Sequence, residues 1–72
     1  MLGLYLIAWT GCAFTMRNGT IFENQFRTLV DNAIRASRAL DNKQIVTSDE
    51  EEAQNISLLA ENAGYDVYLT DL

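Results

Sequence analysis

Residues 2–9 (LGLYLIAW) form an uncharged stretch that constrains the fold more than any other part of the chain. In a β-strand, successive side chains point to opposite faces of the sheet. One face of this stretch would carry Leu2, Leu4, Leu6 and Ala8, and the other would carry Tyr5, Ile7 and Trp9. Because both sets are apolar, a strand here requires cover on both sides of its sheet. The stretch predicts a first strand from about Leu2 to Thr10.

A helical period follows in the middle of the chain, from about Glu23 to Leu40. Apolar or small residues recur there at steps of three and four, which makes one stripe along a helix: Phe26, Leu29, Val30, Ala33, Ile34, Ser37 and Leu40. Three basic residues lie towards or beyond the end of this segment, where the helix dipole favours cations: Arg35, Arg38 and Lys43. The segment predicts an amphipathic helix that ends at Asp41-Asn42.

A second helix is predicted to begin after Ser48, which is a good N-cap residue. Glu51, three residues later, would complete a capping box. The face predicted to be buried holds Ala53, Ile56, Leu59, Ala60 and Ala63. Gly64 is placed for the left-handed residue that ends a helix.

The remaining segments predict short strands. Cys12–Arg17 is an extended run, and Asn18-Gly19 is a strong signal for a hairpin turn leading to a returning strand at Thr20–Phe22. Two further strands are expected at Lys43–Thr47 and Tyr65–Thr70. The helix between these two strands could form a right-handed parallel crossover. If the first of them is a loop instead, the sheet is expected to be antiparallel.

Together these elements predict an α+β fold, with two amphipathic helices packed on one face of a small, mostly antiparallel sheet of about three to five strands. Residues 1–72 are expected to form a single compact domain. Since two helices cover one face of such a sheet and no more, the other apolar face is expected to stay open. The alternative is that an N-terminal loop or the hairpin at residues 12–22 folds over it.

The residue types present argue against most catalytic and metal chemistry. The chain has no His and a single cysteine, Cys12, so it cannot form an internal disulfide or an ordinary zinc site. The usual general base near neutral pH is missing, and the glycines form no phosphate-binding motif. We therefore expect no catalytic residue, no cofactor, no metal and no enzymatic activity. The apolar N-terminal run is too short to cross a bilayer, which predicts no membrane association and a cytoplasmic location.

The net charge of −5 is unevenly distributed along the chain. Residues 48–72 contain seven acidic residues and no basic one, which disfavours direct binding to nucleic acid. The run Asp49–Glu52 is interpreted as a solvated first helical turn. Two alternatives are a docking patch for a basic partner, centred on Glu50 and Glu52, and a divalent-metal site.

The open sheet face is the predicted binding surface. Tyr5, Trp9 and Tyr68 are expected to contribute to it, because aromatic residues are enriched where binding energy concentrates. The predicted function is a small, non-catalytic protein-binding module that blocks a larger machine, as accessory or inhibitory proteins of phages do, by analogy of size and charge. The alternatives are a homodimer or larger homo-oligomer, and an acidic mimic of nucleic acid that inhibits a nuclease or polymerase.

Overall fold

From Tyr5 onward the uncharged stretch forms a strand with a neighbour on each side, because both of its faces are apolar and it lacks charges that would favour a sheet edge. The computed structural model describes residues 3–12, 17–41 and 43–72, with side chains from residue 20 onward in the second range. The elements are β1 (Tyr5–Thr10), α1 (Arg17–Arg35), β2 (Ala39–Asp41), β3 (Gln44–Thr47), α2 (Glu50–Ala63) and β4 (Asp66–Asp71).

The four strands form one sheet in the order β2-β3-β1-β4, and each pair of neighbours is antiparallel. This confirms the predicted α+β class with a mostly antiparallel sheet. β3 and β4 are both antiparallel to β1, so they run parallel to each other on either side of it. The expected crossover therefore spans β1 instead of joining adjacent strands. The order of elements is the β-α-β-β-α-β arrangement of ferredoxin-like folds.

The predicted hairpin at Asn18-Gly19 is wrong, because α1 begins at Arg17 and runs through both residues and the expected returning strand. The apolar period explains this: Phe22 precedes Phe26 by one helical turn and is half-buried. Packing of this longer stripe offsets the roughly 1 kcal/mol that a glycine inside a helix costs. Residues 13–16 of the predicted extended run lie outside the described residues.

α1 also ends earlier than the sequence predicts. Ser37 adopts a left-handed conformation with φ of 59°, and its backbone N–H donates to the carbonyl of Ile34 at 3.0 Å. The N–H of Arg38 donates to the carbonyl of Ala33 at 2.8 Å. These two bonds form a Schellman motif, which a non-glycine residue closes here. The chain then enters β2, where Leu40 belongs to a strand and not to the helical stripe.

The first turn of α2 is capped by Asp49 and not by Ser48. The Asp49 Oδ1 atom accepts hydrogen bonds from the N–H groups of Glu51 at 3.0 Å and Glu52 at 3.3 Å. At the other end Gly64 has φ of 107°, which confirms the predicted left-handed helix end. The N-cap was therefore predicted one residue too early, and the N–H of Asp49 donates to Thr47 Oγ1 at 3.1 Å instead of to a glutamate of a capping box.

Replacing Asp49 is expected to test this assignment directly. Asp49→Ala should lower the free energy of unfolding by about 1 kcal/mol, because two N–H groups lose their acceptor. Ser48→Ala should change it by less than about 0.5 kcal/mol, because Ser48 is exposed and makes no cap. Urea denaturation followed by circular dichroism measures both values. Equal losses for the two variants would contradict the assignment.

The core lies between the two helices and one face of the sheet. Its buried members are Ile7, Trp9, Phe26, Ala33, Ile45, Ala53, Ile56 and Ala60. The Trp9 and Phe26 rings meet edge to face with centroids 4.9 Å apart. Small alanines from both helices are fully buried, which lets α1 and α2 approach closely. The helices thus cover one face of the sheet, and the other face points away from both of them.

Candidate functional site

The strand register identifies the side chains that face away from both helices. Leu6 lies between Val46 and Thr70, and Ala8 lies between Gln44 and Tyr68. Leu4 alternates with Tyr5, and its carbonyl accepts from the N–H of Leu72 at 2.8 Å, so the same face continues to this pair. We call the following set the open face: Leu4, Leu6, Ala8, Val46, Tyr68, Thr70 and Leu72.

Apolar side chains form most of the open face, and no charge lies among these seven residues, although Asp66, at the start of β4, points to the same side of the sheet. Tyr68 is 57% exposed and Leu4 is 46% exposed. Leu6, Ala8 and Val46 are half-buried between them. A continuous apolar patch of this kind on a protein surface usually marks an interaction site. The predicted open apolar face is therefore present, with a different set of residues.

Trp9 and Tyr5 lie on the helix-covered face, so their predicted place on the open face is wrong. Trp9 is only 5% exposed and packs against Phe26, and Tyr5 packs on the edge of the core. A shift of one residue moves every side chain of a strand to the opposite face of the sheet. Because both faces of β1 are apolar, the sequence pattern alone does not show which face meets the helices. The bulkier set, which includes Ile7, faces the helices because it removes more apolar area from water there. Of the three predicted aromatic residues, Tyr68 alone lies on the open face.

Tyr5 instead marks a point where acidic residues of two elements converge. The Glu50 carboxylate at the start of α2 raises the pKa of the Tyr5 phenol above its usual 10.0, with smaller contributions from burial and from Asp71 at the end of β4. Both carboxylates therefore lie near the same hydroxyl group. This end of β4 carries a local concentration of negative charge.

The predicted acidic patch lies on the helix layer, on the other side of the sheet from Tyr68. Glu52 forms an ion pair with Arg38, and each of the two side chains is about one-third exposed, 31% for Arg38 and 32% for Glu52. Its charge is thus partly neutralised within the chain. Glu50 is exposed, and its Oε1 atom accepts from the side-chain amide of Gln54 at 3.4 Å. The structure does not bring Glu50 and Glu52 together with Tyr68 in one site.

A cleft of about 390 Å³ opens at the end of β1, beside α1. Trp9 and Phe26 lie among its lining residues, together with a polar network around Glu23. Glu23 Oε1 accepts from Arg27 Nη2 at 3.0 Å and from the Tyr65 hydroxyl at 3.3 Å. Burial, followed by the Glu23 carboxylate, raises the pKa of Tyr65 above 10.0. Glu23 Oε1 thus accepts from the Tyr65 hydroxyl and from both Nε and Nη2 of Arg27.

Sequence reasoning missed this cleft, although one of its signals is visible in the chain. Glu23 and Arg27 are four residues apart, which is the spacing of an ion pair on a helix surface. The predicted helix begins at Glu23, which would place the pair in its frayed first turn. Tyr65 reaches the pair from a position 42 residues away along the chain, and only the tertiary structure brings it there.

Across residues 3–12, 17–41 and 43–72, no group of three or more cysteine, aspartate or glutamate side chains is placed to hold a metal ion. Neither helix is long and apolar enough to cross a bilayer.

Comparison with known proteins leaves the site as the available guide to function. No protein family matches the chain, and no curated protein or solved structure is significantly similar to it. A fold by itself does not specify a function, so any functional assignment must come from the surfaces described above.

Proposed function

We propose that this chain is a non-catalytic protein-binding module that attaches to a larger assembly through its open face, as an accessory or inhibitory protein. The observation that carries this proposal is the uncharged apolar centre of the open face, with the exposed ring of Tyr68 beside Leu6 and Ala8. Interfaces concentrate their energy in such anchors, with tyrosine among the most frequent of them. A cover of apolar side chains from a partner would remove this patch from water.

Charge favours a different protein as the partner over a second copy of this chain. Each copy carries a net charge of −5, and a protein far from neutrality repels its own kind. The homo-oligomer remains the second candidate, because an apolar face without charges is also complementary to itself. The nucleic-acid mimic is less well supported, since Glu52 is already paired with Arg38 and since Asp66 and Asp71 point to opposite faces of the sheet.

Paired surface variants are expected to test the open face. Leu4→Ser with Tyr68→Ser removes two exposed apolar side chains from it, and should weaken binding of the partner at least tenfold, because each anchor contributes about 1–2 kcal/mol. The matched control is Ile21→Ser with Leu58→Ser, which removes two comparably exposed side chains, 54% and 57%, from the helices. Affinity capture from the native lysate, at low and high salt, measures the difference.

Three outcomes separate the candidates. Capture that survives high salt, and is lost in the open-face variant but kept in the control, supports the proposal. A dimer seen by light scattering that the open-face variant converts to monomer supports the homo-oligomer instead. Capture that is unaffected by the open-face variant and falls steeply with salt would contradict both and favour the acidic mimic.

A further inference from the structure

One edge of the sheet is a better template for an added strand than the other. β4 has six residues paired with β1 in an unbroken register, and no other described segment pairs with its outer side. β2 has three residues, and its register shifts between Ala39 and Asp41. An extended peptide adds to a regular edge strand through main-chain hydrogen bonds. An irregular edge strand hinders this pairing.

The ends of β4 carry charge of a single sign. Asp66 and Asp71 are both exposed, and neither forms an ion pair within the described residues. Glu50 adds a third carboxylate at the Asp71 end, as its effect on Tyr5 indicates. No basic residue occurs anywhere from residue 48 to residue 72. A strand placed beside β4 would therefore meet uncompensated negative charge at both of its ends.

We propose that β4 accepts an extended, basic segment of the partner protein as a fifth strand, with cationic side chains opposite Asp66 and Asp71. This inference rests on the proposed function and specifies the chemistry of the partner. It also places the added strand alongside the open face, so that one partner would contact both surfaces.

A second copy of β4 fits this edge poorly. Antiparallel pairing centred on the strand would place Asp66 of each copy opposite Asp71 of the other, and parallel in-register pairing would place each aspartate beside its own equivalent. Like charges directly opposite each other destabilise a pair of strands. Shifting the register by two residues separates both pairs of aspartates, but it leaves only four of the six residues of each strand paired and so loses ladder hydrogen bonds. The charges thus disfavour self-pairing over the full length of β4, whereas a basic strand can pair along all of it.

The register predicts the pattern of the partner segment. Asp66 points to the open face beside Thr10, whereas Asp71 points to the helix-covered face beside Tyr5. The two basic residues must then be five positions apart, on opposite faces of the added strand, in either strand direction. Between them, Tyr68 is exposed on one face and Leu69, 45% exposed, on the other. Apolar residues are therefore expected at the central positions of the segment.

A synthetic peptide with lysines five positions apart and valines between them tests the proposal. Wild-type protein should bind it at least tenfold more tightly than the same peptide with glutamates in place of the lysines. Asp66→Lys with Asp71→Lys should reverse this preference. The matched control, Asp31→Lys with Glu61→Lys, makes the same change in net charge on the helices and should keep the preference for lysine. Calorimetry gives the affinities, and NMR amide shifts locate the peptide.

Amide shifts confined to β4, with the reversal by the aspartate variant, support the proposal. It is overturned if the two peptides bind equally, if both charge variants change the preference alike, or if the shifts map to α2. A captured partner that depends on the open face, combined with no peptide binding, would overturn this inference and leave the proposed function standing. Loss of open-face dependence would instead remove the proposed function.

Discussion

Trp9→Ala is expected to lower the free energy of unfolding by about 3–5 kcal/mol, because it opens a large cavity against Phe26. A chain of 72 residues has about 4–11 kcal/mol of stability in total, at 0.05–0.15 kcal/mol per residue. The variant should therefore be largely unfolded under mild denaturing conditions. Far-ultraviolet circular dichroism in urea measures the change, since the substitution removes the only tryptophan available for fluorescence.

Tyr68→Ala is the matched control for this prediction, because it also deletes an aromatic ring from the sheet, but from the open face. With 57% of Tyr68 exposed, the stability loss should stay within about 1 kcal/mol. The pair of variants thus distinguishes the two faces of the sheet. A stable Trp9→Ala protein that has lost its partner would contradict the structure and restore the face assignment that the sequence pattern suggested.

Ile56→Ala is expected to cost about 2–5 kcal/mol, because Ile56 is 1% exposed and lies in the core between α2 and the sheet. Leu58→Ala, two residues along the same helix, removes a side chain that is 57% exposed and should change stability by less than about 0.5 kcal/mol. Midpoints of urea unfolding give both values. Similar losses for the two variants would indicate that α2 is rotated relative to the structure described above.

The two helices show which sequence signals were sufficient to predict where a helix lies and where it ends. The stripe of α2 through Ala53, Ile56 and Ala60 has an unambiguous period, and Gly64 ends the helix as its conformational freedom predicts. α1 was placed correctly in its middle and wrongly at both ends. Its start was hidden by Asn18-Gly19, a turn signal that the helix runs through, and its end was set by Ser37, which carries no glycine signal.

The presence of an open apolar face was predicted from the sequence, but most of the residues that form it were not. An open apolar face follows from having two helices and one strand that is apolar on both sides. Tyr68 was correctly assigned to it, but Leu4, Leu6 and Val46 were not recognised as its main aliphatic members. The cleft around Glu23 and Tyr65 escaped notice, because its residues come from distant parts of the chain.

The sequence by itself determined the fold class, the burial stripe of each helix and the excess of apolar strand surface, because these depend on local periodicity and composition. Only the tertiary structure decided that Trp9 faces the helices, that β1 separates β3 from β4, and that acidic residues flank the outer edge of β4. The physical reason is that the facing of each strand and the order of the strands depend on which apolar side chains bury the larger area against the helices. Those buried areas can be compared only once the chain has folded.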